Sequence, residues 1–357
     1  MDRRKRIVAL CLAVGAVVLF LLPEDRDKHY YRNEGKVFGT YYSVSYEGYY
    51  DLHDSIRDAM REVDETLSMF NKYSLVARLN RGADPELPLL FRQVFNTAQQ
   101  VSELTDGAFD ITVAPLVNAW GFGFKNKEQV TAEVIDSLLG LVGYRYLHLE
   151  GRHLKKAKEG VMIDASAIAK GFACDRVAAV LRRNDAENLL VDIGGEVVAQ
   201  GMNSKGEPWS IGITKPIDDI SGTVQQLQDV LHTSDACMAS SGNYRNFYYE
   251  NGVRRSHTID PRTGYPVHHS LLSATVIAPS CMLADALATS CMVLGTDSAL
   301  ALISRVPDAA CYLIEASADT LRVRKSDNWP ASDTCPVSDN CPARRDGMHT
   351  VSQKEKP

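Results

Sequence analysis

The residues best placed to do chemistry lie in four polar, glycine-containing clusters. In Ala284-Asp285-Ala286-Leu287-Ala288-Thr289, a carboxylate and a hydroxyl stand four residues apart, so a helix would carry Asp285 and Thr289 on one face. Two such oxygens suit a hard cation such as Mg²⁺, which takes oxygen ligands at about 2.0–2.1 Å and keeps positions for waters or phosphate oxygens. A helix-face hydrogen bond is the plainer reading of the same pair. In Asp164-Ala165-Ser166-Ala167-Ile168-Ala169-Lys170-Gly171, small residues let the backbone come close to a ligand or a helix. Lys170, near a helix start, could face an anion alongside the helix dipole, or be a solvated lysine on a capped helix.

The other two clusters have turn composition. Gly107-Ala108-Phe109-Asp110-Ile111-Thr112 is followed by Pro115-Leu116 and Trp120-Gly121-Phe122-Gly123, which on its own reads as a turn feeding an aromatic core. Ser240-Ser241-Gly242-Asn243-Tyr244-Arg245 leads to Ser256-His257-Thr258-Ile259-Asp260-Pro261-Arg262-Thr263-Gly264. Asp-Pro-x-Thr-Gly is turn chemistry. A histidine at its lip can also move a proton near neutral pH. Clusters separated in sequence are how a site built from loops on a rigid scaffold reads.

Several chemistries are excluded by inspection. The chain has no G-x-x-x-x-G-K-[ST] phosphate loop, no G-x-G-x-x-G turn, no H-E-x-x-H helix and no C-x-x-C pair. A formal net charge of −6 disfavours sequence-independent binding to nucleic-acid phosphates, so no nucleic-acid partner is expected. Eight cysteines in 357 residues, mostly in apolar settings, are too sparse for a disulfide framework. Cys335 and Cys341, in a Pro-rich tail without nearby histidines, favour a tail disulfide over a metal site.

The elements that must position these clusters mix strands and helices, an α/β or α+β class. Val37 to Tyr46 alternates like a strand. Ile56, Met60, Val63, Leu67 and Phe70 recur at helical spacing, as do Leu90, Val94, Ala98 and Val101. Thr131 caps a third helix, Ala173 to Leu181 gives a fourth, and Ala284 to Leu294 a further one after the Pro279 break. Asn188 to Val198, Trp209 to Thr214, Leu271 to Ala278 and Cys311 to Glu315 read as strands, and Asp297 to Ala301 as plain surface.

The ends differ in composition from this core. Arg3, Arg4, Lys5 and Arg6 precede an uncharged run from Ile7 to Leu22, closed by Pro23. That is a signal peptide or short membrane anchor, and an uncleaved anchor is favoured because no small-x-small cleavage site ends the run. Leu10 stands where lipidation at Cys11 would want a small residue. Positive residues stay cytoplasmic, so the rest of the chain is expected on the periplasmic side of a bacterial inner membrane. The organisation read from this is an anchor and linker over 1–34, a folded domain over 35–325 and a poorly ordered polar tail over 326–357.

Taken in order, G-A-F-D-I-T, D-x-S-A-I-A-K-G, L-V-D-I-G-G-E, S-S-G-N-Y-R, S-H-T-I-D-P-x-T-G and A-D-A-L-A-T resemble the motifs of the ApbE family, the FAD:protein FMN transferases, over roughly Val37 to Leu321. The resemblance implies a compact two-lobed α/β fold with FAD in a cleft between the lobes. It implies an exported, Mg²⁺-dependent enzyme that splits FAD, attaches FMN through a phosphoester to a threonine or serine hydroxyl of a target protein and releases AMP. Targets in the family include subunits of sodium-pumping NADH:quinone reductase and related electron-transport complexes. Residue by residue, it makes Asp285 and Thr289 side-chain metal ligands and the Ala167 carbonyl a third. It matches Lys170, Ile259 and the Ala108-Phe109-Asp110 turn to FAD-contacting positions, Phe38 and Phe70 to positions lining the flavin, and His257 to the base. Phe38 departs from the methionine common in the M-G-T motif. Two other activities share these residues: FAD hydrolysis to FMN and AMP with water as acceptor, and a non-catalytic exported flavin carrier.

Overall fold

The computed structural model describes residues 27–122, 130–216, 226–243, 247–250, 253–317 and 320–331. In chain order the strands are β1 His29–Val37, β2 Thr40–Gly48, β3 Leu147–Glu150, β4 His153–Lys156, β5 Leu189–Ile193, β6 Glu196–Gln200, β7 Trp209–Thr214, β8 Leu227–Thr233, β9 Asp235–Gly242, β10 Phe247–Glu250, β11 Val253–Ser256, β12 Leu271–Ala278, β13 Ala310–Ser317 and β14 Thr320–Lys325. The helices are α1 His53–Leu67, α2 Leu75–Asn80, α3 Leu89–Leu104, α4 Ala114–Ala119, α5 Ala132–Leu139, α6 Ala169–Arg183, α7 Cys281–Leu294 and α8 Thr296–Ile303.

Eight strands form one antiparallel sheet in the order β1-β2-β5-β6-β9-β12-β13-β14. Because side chains alternate across a strand, the sheet has two apolar faces and both are covered. Leu189, Val191 and Ile193 of β5 join the large core shared with α1, α3, α6 and α7. Leu190 between them points to the opposite face, where Trp209, Ile211 and Leu231 of the β7–β8 ribbon cover it. β13 repeats the pattern, with Cys311 and Leu313 on the helix side and Tyr312 and Ile314 against Ile213 and Trp329 on the other. The fold class is mixed α/β, as the sequence pattern implies.

Of two apolar runs that read as single strands, Val37 to Tyr46 takes in the end of β1, a turn and most of β2, and Asn188 to Val198 is a hairpin. Val37 to Tyr46 is broken by Phe38-Gly39, with φ of 50° and 73°, between β1 and β2. Asn188 to Val198 is broken by Gly194-Gly195, with φ of 71° and 100°, between β5 and β6. Two-residue hairpin turns with positive φ match the strand twist and leave the apolar alternation on either side nearly intact, which hides them. β1 also begins at His29, ahead of the expected domain start. The span 297–301 is part of helix α8, with Ala299, Leu302 and Ile303 buried. At the other end, Ser326–Ala331 continue the fold: the Ser326 amide donates to the Cys311 carbonyl and Trp329 packs on Tyr312. The N-terminal apolar run and the Cys335–Cys341 pair lie outside the described residues. Among those described, no helix is long and apolar enough to cross a membrane.

The central helix is α7, apolar on nearly every side and therefore buried, between α6 and strands β9 and β12. Its orphan first-turn amides are satisfied by side chains. Ser280 Oγ accepts from the Leu283 amide, and the two oxygens of Asp175, on α6, accept from the Cys281 (3.0 Å) and Met282 (2.9 Å) amides. The start of α6 lies so close to α7 that a Cβ on Gly171 would stand 2.2 Å from the Cys281 carbonyl oxygen and 2.8 Å from Asp285 Cβ. Gly171→Ala should therefore lower stability by about 3 kcal/mol, as overpacking against backbone does. Urea unfolding of the variant is the check; a loss below the ordinary Gly-to-Ala scatter would mean the helices separate freely at that point.

Candidate functional site

The six motifs converge through individually identifiable bonds. The Asp164 amide donates to the Ile111 carbonyl (2.7 Å), tying the D-x-S-A-I-A-K-G segment to G-A-F-D-I-T. The Gly171 amide donates to Asp285 Oδ2 (2.9 Å), tying that segment to A-D-A-L-A-T. Lys170 Nζ lies 2.6 Å from Glu196 Oε1, which ends L-V-D-I-G-G-E, and 4.0 Å from Asp285 Oδ1. Ser241 Oγ meets Thr289 Oγ1 at 3.3 Å, and Thr258 Oγ1 donates to Asn243 Oδ1 at 2.6 Å. The end of β9 thus joins the face of α7 to the segment carrying His257.

Asp285 and Thr289 do fall on one helix face, one turn apart, and Asp285 is only 2% exposed. Ala167 is half-buried beside the start of α6. The Gly171 amide, which a regular helix would aim at the Ala167 carbonyl, is engaged by Asp285 instead. Burial alone would lower the Lys170 ammonium's pKa, but the Asp285 and Glu196 carboxylates overcome it and hold the amine above the ordinary lysine value. Burial pushes Glu196 up, against the opposing pull of Lys170.

The turn residues are held more by protein than by open space. Asp110 Oδ1 accepts from the Thr112 amide and hydroxyl, and Oδ2 from the Tyr144 amide at 2.6 Å; burial raises its pKa. Ala108 and Phe109 are buried, Phe109 within the main core. Ile259 packs with Leu116, Trp120 and Ile135 in a small separate core, and Trp120 Nε1 donates to the Gly264 carbonyl. His257 is half-buried, its ring 6.3 Å from the Phe122 ring in an edge-on arrangement. Phe38 sits in the β1–β2 turn, partly packed on the main core. Phe70 follows α1 and is 65% exposed. Tyr244 and Arg245 lie outside the described residues.

Three carboxylates were given no role by sequence reasoning. Asp175 caps α7. Glu196, 2% exposed, pairs with Lys170, and its Oε2 has no hydrogen-bond partner. Asp192 accepts from the Gly195 amide (3.0 Å) and fastens the turn that delivers Glu196. The available signal was an acid on either side of Gly-Gly within an otherwise apolar strand run, since such charges are buried only for a reason.

The antiparallel sheet carries helices α6 and α7, whose contact brings together a buried carboxylate, a hydroxyl and a paired lysine, and this oxygen-lined centre marks a mixed α/β protein. The ApbE family model matches residues 38–313, and the chain belongs to this family. It is 37% identical over 327 residues to the FAD:protein FMN transferase of Haemophilus influenzae, covering 87% of this chain and 93% of that protein. It is 34% identical over 303 residues to that of Escherichia coli, covering 81% and 85%. Among solved structures, the flavin transferase ApbE from Vibrio cholerae superposes with a TM-score of 0.76 at 33% identity, over 84% of this chain and 98% of that one. The apo form of Pseudomonas stutzeri flavinyl transferase ApbE gives 0.75 at 31% identity, over 85% and 96%.

Asp192 also makes the region pH-sensitive. Burial raises its pKa from the ordinary 3.8 to about 6, with the Gly195 amide opposing. The folded state therefore holds this proton more tightly than the unfolded chain. The stability it contributes is present at low pH and is lost as pH rises from about 4 to about 6. Asp192→Asn, which keeps an acceptor for Gly195, should gain about 1–3 kcal/mol over the parent at pH 7 and only about a third of that at pH 4.5. Denaturant unfolding at the two pH values decides it; equal differences would remove Asp192 as the titrating group.

Proposed function

We propose that this protein is an FAD:protein FMN transferase, moving FMN from FAD to a threonine or serine hydroxyl of a target protein with release of AMP. The supporting observation is the convergence of all six motifs on the α6–α7 contact, together with the relatives' shared activity. The donor set fits a hard divalent cation such as Mg²⁺: the buried Asp285 carboxylate, the Thr289 hydroxyl and the Ala167 carbonyl are all oxygens. Among the described residues no group of three or more His, Cys, Asp or Glu forms a softer metal cage. Bound there, the cation would neutralise charge building on the pyrophosphate oxygens.

The chain's own residues supply the rest. Lys170 presents a positive charge at the start of α6, where the Glu196 carboxylate fixes its place. His257 takes the proton from the acceptor hydroxyl, whose oxygen forms the new bond to the FMN phosphorus as the anhydride bond breaks and AMP leaves with the electron pair. Phe38 and Phe70 are the candidates for covering the flavin ring, Ile259 and the Ala108–Asp110 turn for shaping its pocket. The acceptor class is a flavoprotein subunit of an exported or membrane electron-transport complex, such as sodium-pumping NADH:quinone reductase.

The full-length protein incubated with FAD, Mg²⁺ and a candidate acceptor should leave a denaturation-resistant fluorescent flavin on the acceptor. Free FMN without labelling would make it a hydrolase, and unchanged bound FAD a carrier. In the same assay Asp285→Ala should abolish transfer, and Thr289→Ala should do less because water partly replaces a neutral ligand. His257→Asn should keep FAD affinity while slowing single-turnover transfer by about 10²–10⁴-fold. Weakened FAD binding with an unaltered rate at saturation would take His257 out of the chemistry.

The basic tetrad ahead of the Ile7–Leu22 run supports a periplasmic catalytic domain on an inner-membrane anchor. Alkaline phosphatase fused after residue 331 should then be active in cells. A cytoplasmic reporter working there in its place would reverse the topology.

A further inference from the structure

Lys170 has two carboxylate neighbours at unequal range, Glu196 at 2.6 Å and Asp285 at 4.0 Å. The inequality matters because Asp285 carries the charge of the proposed cation site, and an ammonium seeks the same oxygens as a divalent ion. Each carboxylate is 2% exposed, so water screens little of this competition. Glu196 is also held firmly. The Gly194-Gly195 turn starts its strand, Asp192 fastens that turn, and the Cys174 thiol donates to the Glu196 carbonyl at 3.1 Å. A Cβ on Gly194 would stand 2.9 Å from the Thr40 methyl, and with its φ of 71° the position favours glycine at the turn that delivers Glu196. Oε2 makes no hydrogen bond, a desolvation cost that a residue serving only to pack would avoid.

We propose that Glu196 is a positioning residue that holds the Lys170 ammonium off Asp285, keeping Asp285 Oδ1 open to a divalent cation. This rests on the cation reading of Asp285. Without the Glu196 charge, Asp285 is the one carboxylate among the described residues left beside the ammonium, and Lys170 closes on it as an internal competitor. The loss should then be reversed by removing the lysine as well, an outcome that a packing role for Glu196 does not produce.

Mn²⁺ alone is the probe, titrated into the purified full-length protein with the free ion read by its paramagnetic resonance. Glu196→Gln, nearly isosteric, should weaken Mn²⁺ binding by about 10–100-fold, the usual effect of losing a partner that orders a ligand. Lys170→Met combined with Glu196→Gln removes both charges of a buried pair, a change proteins tolerate, and should return affinity close to the parent value. Glu196→Asp, which keeps the charge, should bind better than Glu196→Gln. Unchanged affinity in Glu196→Gln, or a double variant as weak as the single, overturns the proposal while Asp285→Asn still loses the ion. Retention of Mn²⁺ by Asp285→Asn overturns the cation reading itself. Urea midpoints of each variant separate a folding defect from these outcomes, and a Glu196→Asp protein that folds yet binds no better than Glu196→Gln also sinks the idea.

Discussion

The close approach of α6 to α7 at Gly171 is the constraint on which the site depends. There the backbone of one helix start rests against the first turn of another, and the Gly171 amide and the Asp285 carboxylate bond across the gap. Any side chain at position 171 would push the helices apart and carry Lys170 away from Glu196 and Asp285. Asp175 reinforces the contact from one turn further along α6, spending both carboxylate oxygens on the amides that open α7. A single helix pair therefore sets the spacing of the Asp285 carboxylate, its neighbouring ammonium and the small-residue backbone at Ala167.

The charges concentrated here oppose folding unless they are paired, since burying an ion without a partner is costly. Lys170 answers two acids at once, and burial drives Glu196 and Asp192 upward in pKa. Such groups are poor choices for stability alone. Their place in a strand that is otherwise apolar is accounted for by what they hold, Glu196 the Lys170 ammonium and Asp192 the Gly195 amide.

Much of this was legible in the sequence. The stripes Ile56-Met60-Val63-Leu67 and Leu90-Val94-Ala98-Val101 became α1 and α3 because core contact selects one face of a helix, although Phe70, read as part of the first stripe, lies past the end of α1 and is exposed. The Thr131 cap and the i,i+4 pair on α7 also stood as local chemistry requires. What escaped was non-local or conformational. Phe38 adopts a positive φ that its residue type does not advertise, so the strand read over Val37–Tyr46 runs through the turn and β1 from His29 goes unseen. α7 begins at Cys281, helped by a cap from Asp175, 106 residues earlier, which no local pattern reveals. The Lys170–Glu196 pair depends on β6 running beside α6, so each residue looked ordinary in its own segment.

The order of strands has a consequence for how the molecule comes into being. β2 pairs with β5 across more than 140 residues of intervening chain, and β9 lies between β6 and β12. Closing such long loops is slow, because their entropy is spent before the pairing rewards it. The centre draws on residues from Gly107 to Thr289, so a nascent chain has no working half until α7 has emerged. The site is therefore whole only after most of the polypeptide has been made.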